Sequence, residues 1–314
     1  MSTLRPRRGF ALLAALALLT LTSVLALELS VTARARRLTA ANAIEQAAAR
    51  AAAQAGLEDV RTRLLRSLIA GNQAGELVLD PWLTAIALPI ESVRLGELRY
   101  DITVRDAGEL LHVNRATEEQ LRRFLVALRV DAGRADRMAQ AILDWRDGDD
   151  LHRTRGAERA DYLRAGSAVL PENAPFPSVA ALRHVAGIGD ALYERVRPHL
   201  TVVGSGRVNL NTAGSAVLIT LPGMSQESVD LVMRYRRRGE RITSVSTLAQ
   251  QLPVGARRRL TEALPALMAA SVLDTREVHV TSIASSLDGI ERARAEALMV
   301  KDNGVAIAWR RISP

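Results

Sequence analysis

A chain of 314 residues that is 48% apolar but only 3% aromatic must build its cores from Ala, Leu and Val, and is long enough for one large domain or two small ones. Cysteine is absent, which excludes disulfide and thiolate chemistry. The net charge of +8 raises the question of nucleic acid, but five of the eight charges fall in residues 1–37, where Arg5, Arg7, Arg8, Arg34, Arg36 and Arg37 stand against Glu28. The other 277 residues carry only +3, so the excess reads as membrane topology.

The first element begins at Gly9-Phe10, after a basic leader. Residues 10–27 are eighteen uncharged, mostly apolar residues, near the lower limit of the roughly 20 that span a hydrocarbon core. The arginines ahead of them hold the N-terminus in the cytoplasm, partly offset by Arg34, Arg36 and Arg37 beyond. Val24-Leu25-Ala26 is a poor cleavage site for a secretory signal, and the helical pattern does not stop there. Residues 32–69 contain no proline and one glycine, Gly56, and are dominated by strong helix formers. Leu38, Ala41, Ile44, Ala48, Ala52, Ala55, Val60, Leu64 and Leu68 form one apolar stripe. Residues 10–69 therefore read as one helix, roughly 90 Å long at 1.5 Å per residue, greasy all round in its first third and amphipathic beyond.

A basic leader, a Gly-Phe junction and an apolar helix with an amphipathic continuation resemble the N-terminus of a type IV pilin or pseudopilin. The resemblance implies cleavage by a prepilin peptidase between Gly9 and Phe10, and methylation of Phe10. Pilins generally carry a glutamate five residues into the mature chain; the residue here is Ala14. Within the family that absence resembles the K minor pseudopilin of type II secretion systems, a subunit at a filament end. A plain signal anchor is the competing reading of the leader.

Residues 97–105 alternate as a strand, with Leu98, Tyr100, Ile102 and Val104 on one face. Asp106-Ala107-Gly108 reads as a turn, and residues 109–113 as a partner strand. Residues 277–283 and 297–300 read as strands, and Lys301-Asp302-Asn303-Gly304 as a hairpin turn into residues 305–312. Between these strands lies a long helical middle. The expected class is α+β: a pilin-like N-terminal helix on an antiparallel sheet, with a large all-α domain inserted into the sheet. The expected boundaries are 1–9 for the leader, 10–71 for the helix, 72–113 with 272–314 for the sheet domain and 114–271 for the insertion. Such an insertion again resembles the K subunit.

The middle repeats itself. Val113-Asn114-Arg115-Ala116-Thr117 aligns with Val208-Asn209-Leu210-Asn211-Thr212 as V-N-x-x-T, and Trp145-Arg146 with Tyr235-Arg236. Around Gly187-Ile188-Gly189 and Leu221-Pro222-Gly223-Met224 the pattern resembles helix-hairpin-helix units, whose glycine turns present amides to DNA phosphates. A membrane-anchored DNA-binding protein for uptake is therefore the alternative function. Against it, Ser225 replaces the second glycine of one turn, Asp190 follows the other, and the middle lacks a strong positive excess; the basic run from Arg234 to Arg241 speaks for it.

Residues 144–161 hold six carboxylates, Asp144, Asp147, Asp149, Asp150, Glu158 and Asp161, among glycines. Such a loop can gather the 6–8 oxygens that Ca²⁺ takes, and suits Mg²⁺ less; alternatively its acids pair with Arg146, Arg153, Arg155 and Arg159. The K resemblance implies calcium here, at least one ion, through Asp144-Trp145-Arg146-Asp147 and Gly156-Ala157-Glu158, although Arg159 stands where a further acid is expected. His112, His152, His184, His199 and His279 are scattered, and no nucleophile or P-loop motif is present, so no enzyme is expected. The resemblance implies a non-enzymatic tip subunit of the pseudopilus, anchored once in a bacterial inner membrane with its C-terminal domain in the periplasm. The implied partners are other minor pseudopilins, the major pseudopilin, the prepilin peptidase, the inner-membrane assembly platform, and secreted substrate or the outer-membrane channel, with no nucleic acid.

Overall fold

The computed structural model describes residues 8–73, 80–87 and 92–313. Helix α1, Arg8–Gln73, is continuous over 66 residues, slightly longer than the pattern predicts. Residues 12–48 are exposed along its whole circumference, including Leu38, Ala41, Ile44 and Ala48 of the expected stripe. Cover begins at Ala49 and continues through Ala52, Ala53, Leu57, Val60 and Leu64. The stripe is right downstream of Ala48 and is one residue out of phase at its start. The short helix α2, Pro81–Ala87, lays buried Trp82 against the same core.

Five strands form one antiparallel sheet in the order β1-β2-β7-β8-β9: β1 Val93–Leu95, β2 Leu98–Asp106, β7 Glu277–Ser286, β8 Glu291–Lys301 and β9 Val305–Ser313. The core beneath α1 is almost all small: Val278, Val280, Ala284, Ala293, Ala295 and Ala297 are fully buried. Small side chains let the helix settle close to the sheet, and Gly56 marks the closest approach. A Cβ at Gly56 would overlap Ser282 Oγ and lie 2.9 Å from Ser282 Cβ. The predicted turn at 301–304 is present, with Asn303 and Gly304 at positive φ joining β8 to β9. Hairpin partner β1, closed through Gly96 at φ +64°, has only three residues and carries no readable alternation.

Residues 109–113 do not pair with β2. Asp106 Oδ1 accepts the Gly108 amide (2.9 Å) and starts a 3-10 turn, Ala107–Glu109, that carries the chain away from the sheet. β2 already has both neighbours, β1 and β7, so the next strand, β3 Leu111–His112, pairs in parallel with β4 Leu200–Thr201. The chain returns at Val278, opposite Asp106, so exit and re-entry lie side by side.

Between them a second core runs from Leu111 to Leu267. Its elements after β3 are α3 Glu118–Ala127, α4 Ala132–Arg146, α5 Arg159–Arg164, a 3-10 segment Val179–His184, α6 Asp190–Val196, β4, β5 Val208–Asn209, α7 Ser215–Leu218, α8 Gln226–Arg237, α9 Val245–Gln250, α10 Val254–Glu262, α11 Leu264–Ala270 and β6 Ser271–Val272. The internal repeat is present in a register two residues from the predicted one. β3 pairs in parallel with β4 as β5 does with β6. The Ala116 amide donates to His112 O and the Ala213 amide to Asn209 O, both at 2.9 Å. Asn114 clasps both main-chain groups of Phe176, and Asn211 both of Ile242. Thus His112-Val113-Asn114-Arg115-Ala116 superposes on Asn209-Leu210-Asn211-Thr212-Ala213. The aromatic-Arg pairs take equivalent places: Arg146 donates to the carbonyls of Val113 and Ala116, and Arg236 to those of Thr212 and Ala213.

Candidate metal centre

Helix α4 begins at Asp131, whose carboxylate caps the Arg134 amide at 3.1 Å, and buries Ala135, Met138, Ala139 and Ile142. This packing points its last turn inward, with Trp145 stacked on Phe176 (centroids 6.1 Å apart, planes at 8°) and edge-on to Tyr162 at 5.3 Å. Asp144 is therefore fully buried, and Asp147, the C-cap, opens the loop. A Cβ at Gly156 would overlap Asp144 Oδ2, so only glycine lets the loop close over that carboxylate.

The six predicted acids separate into two groups. Asp147, Asp149 and Glu158 each bring one carboxylate oxygen within 4.8 Å of the others. That separation suits oxygens bound at 2.3–2.6 Å to one shared Ca²⁺. Asp144, Asp150 and Asp161 are engaged elsewhere. Asp144 Oδ1 accepts from Arg153 Nη1 (2.6 Å), and the same guanidinium bridges to Asp147. Asp150 accepts from Asn173 Nδ2 at 2.9 Å. Asp161 turns back to cap α5, accepting the Glu158 amide (2.9 Å) and pairing with Arg164 (2.6 Å) and His152 (3.1 Å).

Two observations test the fit of a hard cation. Glu158 is 3% exposed, and among the described residues neither of its oxygens has a hydrogen-bond partner; Asp147 Oδ1 is equally bare. Such buried, acceptor-only oxygens are costly unless a cation or donor meets them. Burial and the charges of Asp144, Asp147 and Asp150 push the Glu158 carboxyl up to about 7. Secondly, the Arg153 guanidinium lies between Asp144 and Asp147, a positive group already held by two of the predicted acids. The donor set is all oxygen and mostly charged, which fits calcium better than a softer metal. Arg159, at the first position of α5, is exposed and adds no oxygen.

Gly9 and Phe10 lie in the first turn of α1, and residues 1–7 of the expected leader lie outside the described residues. One helix among the described residues is long and apolar enough to cross a membrane, and its apolar window is wholly uncovered by the rest of the chain. A polar junction that no sequence period marks lies between the two cores. Asp106 Oδ2 accepts from Asn209 Nδ2 (2.6 Å), Thr212 Oγ1 (2.7 Å) and Thr275 Oγ1 (3.3 Å). Asp80 Oδ2 accepts from Arg241 (3.0 Å) and from the Thr275 amide (2.8 Å). The one sequence signal was Asp80-Pro81, an N-cap before an N1 proline.

Residues 101–205 match the family model for type II secretion system (T2SS), protein K. The type II secretion system protein K of Dickeya chrysanthemi is 32% identical over 117 residues, which cover 36% of this chain and 32% of that protein. That of Klebsiella pneumoniae is 34% identical over 92 residues, 29% of this chain and 28% of its own length. The Aeromonas hydrophila protein K is 28% identical over 199 residues, 60% and 58% of the two chains. The match thus spans about a third of the length of the first of these relatives. A chain in the crystal structure of the GspK-GspI-GspJ complex from the enterotoxigenic Escherichia coli type 2 secretion system shares the fold with TM-score 0.59 at 18% identity, over 90% of this chain and 99% of that one. None of these relatives is named for DNA uptake. Residues 101–205 are thus similar to type II secretion system protein K, and the fold is shared with the chain of the GspK-GspI-GspJ complex over nearly the whole length.

Proposed function

We propose that the protein is a minor pseudopilin of a type II secretion system, a non-enzymatic subunit at the tip of the periplasmic pseudopilus. The observation that carries this is the division of α1. Its first half is apolar or bare and its second half is seated on the sheet, so one rod serves a membrane first and neighbouring subunits afterwards. Processing between Gly9 and Phe10 would leave the apolar helix at the mature N-terminus. Residues 114–271 would stand clear of the filament shaft as a unit with its own core. Other minor pseudopilins are the expected neighbours, in keeping with the three-subunit complex of the related structure. The test is the N-terminus of the protein purified from membranes of a cell with an active secretion system. A mature chain beginning with N-methyl-Phe10 is expected; a chain retaining Met1, or cut after the apolar helix, would overturn the reading.

The acidic loop is proposed to hold at least one calcium ion, through Asp147, Asp149 and Glu158, with Asp144 and Asp150 adding charge around it. A bound cation would supply countercharge for the bare oxygens of Glu158 and Asp147, fixing the loop rather than catalysing a reaction. Calorimetric titration of the full chain in detergent, after chelator treatment, is expected to show saturable calcium binding.

A further inference from the structure

We infer that a groove on the outer side of α4 is a docking site for an acidic segment of a partner protein. The groove has a volume of about 270 Å³ and lies between the first turns of α4, the loop at Arg155 and the turn at Gly187. Arg134 and Arg137, one helical turn apart, and Arg155 line it over a floor that includes Met138 and Ala157. Arg134 and Arg137 are exposed, and among the described residues neither side chain has an ion pair or hydrogen bond. The carboxylate beside Arg155 is Asp136 at 3.5 Å, itself shared with Arg122 at 4.0 Å. Of the three guanidiniums, among the described residues Arg155 alone has a carboxylate in reach, and that carboxylate is already divided. Like charges one turn apart repel, and an incoming carboxylate relieves that repulsion while matching the planar guanidinium fork.

The walls are set before any ligand arrives. Gly187 sits at φ +84°, and a Cβ there would lie 3.3 Å from the Met138 side chain. The Ala186 amide donates to Tyr162 Oη at 2.8 Å, which ties the turn to the aromatic stack under α4. Acidic side chains are near in sequence to the residues that line the groove. Asp190, three residues past Gly187, has a side chain 91% exposed, Asp131 caps α4, and Asp149 and Asp150 lie on the loop that carries Arg155. A phosphodiester chain, charged at every nucleotide, would run alongside them.

The test uses the full chain in detergent micelles and a fluorescent, end-capped hexapeptide of sequence Gly-Asp-Glu-Asp-Glu-Gly, read by anisotropy at low salt. Saturable binding is expected, weakened at least tenfold in the Arg134→Ala/Arg137→Ala variant and for the Asn/Gln version of the peptide. A control variant, Arg237→Ala/Arg238→Ala, removes two exposed charges elsewhere and is expected to bind as the parent does. Unfolding curves check that the exposed substitutions leave the fold intact. The inference is overturned by no binding at millimolar peptide, by an equal loss in the control variant, or by tighter groove-dependent binding of a single-stranded 12-mer DNA. None of these outcomes bears on the mature N-terminus, so the groove and the pseudopilin reading stand or fall separately.

Discussion

Glu158 and His112 are two buried titratable groups whose environments press in opposite directions. The Glu158 carboxyl is raised to about 7 by burial and by Asp144, Asp147 and Asp150, so the folded chain without metal holds a proton that the unfolded chain releases near 4.5. Its contribution to stability is then present at low pH and lost as pH rises from about 4.5 through about 7, a change of order 3 kcal/mol. Replacing Glu158 by Gln is expected to raise the midpoint of urea unfolding at pH 8 in chelator and to change little at pH 5. With calcium held as proposed, the same variant is expected to lose most of the stabilisation that added calcium produces in the parent. His112 is lowered to about 4 by burial, with Arg115 and Arg146 adding to the shift, and its Nδ1 has no hydrogen-bond partner among the described residues. Here stability is complete above about 6.5 and is lost as pH falls toward 4. Unfolding curves from pH 7 to pH 4 are expected to be flatter for His112→Asn than for the parent.

At the scale of elements, the seat of α1 on the sheet depends on what is missing from side chains. Gly56 meets Ser282, whose buried hydroxyl has no hydrogen-bond partner among the described residues, and the strands around it contribute alanines. Gly56→Ala is expected to destabilise by about 2 kcal/mol despite the higher helix propensity of alanine, because the sheet must shift to admit the methyl. Ser282→Gly in the same chain is expected to restore much of the loss, measured by chemical denaturation. The long elements were legible because period and composition repeat many times along them: α1, β2 and β7 fall within a few residues of where alternation and helix formers put them. Two-residue strands such as β3 and β5 have no period to read. The letters V-N-x-x-T therefore align the two copies in one register, whereas the equivalence lies in what Asn114 and Asn211 do, each completing the main-chain bonds of a distant loop. Of the acidic loop, the sequence showed where carboxylates crowd. It could not show that Asp161 would be consumed in capping α5, or Asp144 in holding Arg153.

For the molecule as a whole, the two cores communicate at the place where the chain leaves and re-enters the sheet. Asp106 ends β2, and its carboxylate gathers hydroxyl and amide donors from Asn209, Thr212 and Thr275, which belong to the second repeat and to the approach to β7. Burial raises its pKa while the hydrogen bonds from Thr212, Gly108 and Asn209 lower it, with burial the larger effect. The carboxylate is thus an expensive group kept because three segments, distant in sequence, share it. Removing it as Asp106→Ala strands those donors in a buried site, a loss of about 3–5 kcal/mol for an acceptor of this kind. The damage should be local to the junction, since each core keeps its own apolar contacts. Hydrogen exchange on the full chain is expected to show faster exchange at Gly108, Asn209 and Thr275, with amides inside α4 and α8 still protected. Uniform acceleration across both cores would mean that the sheet and the helical segment fold as one unit, with Asp106 no more than one of its many contacts.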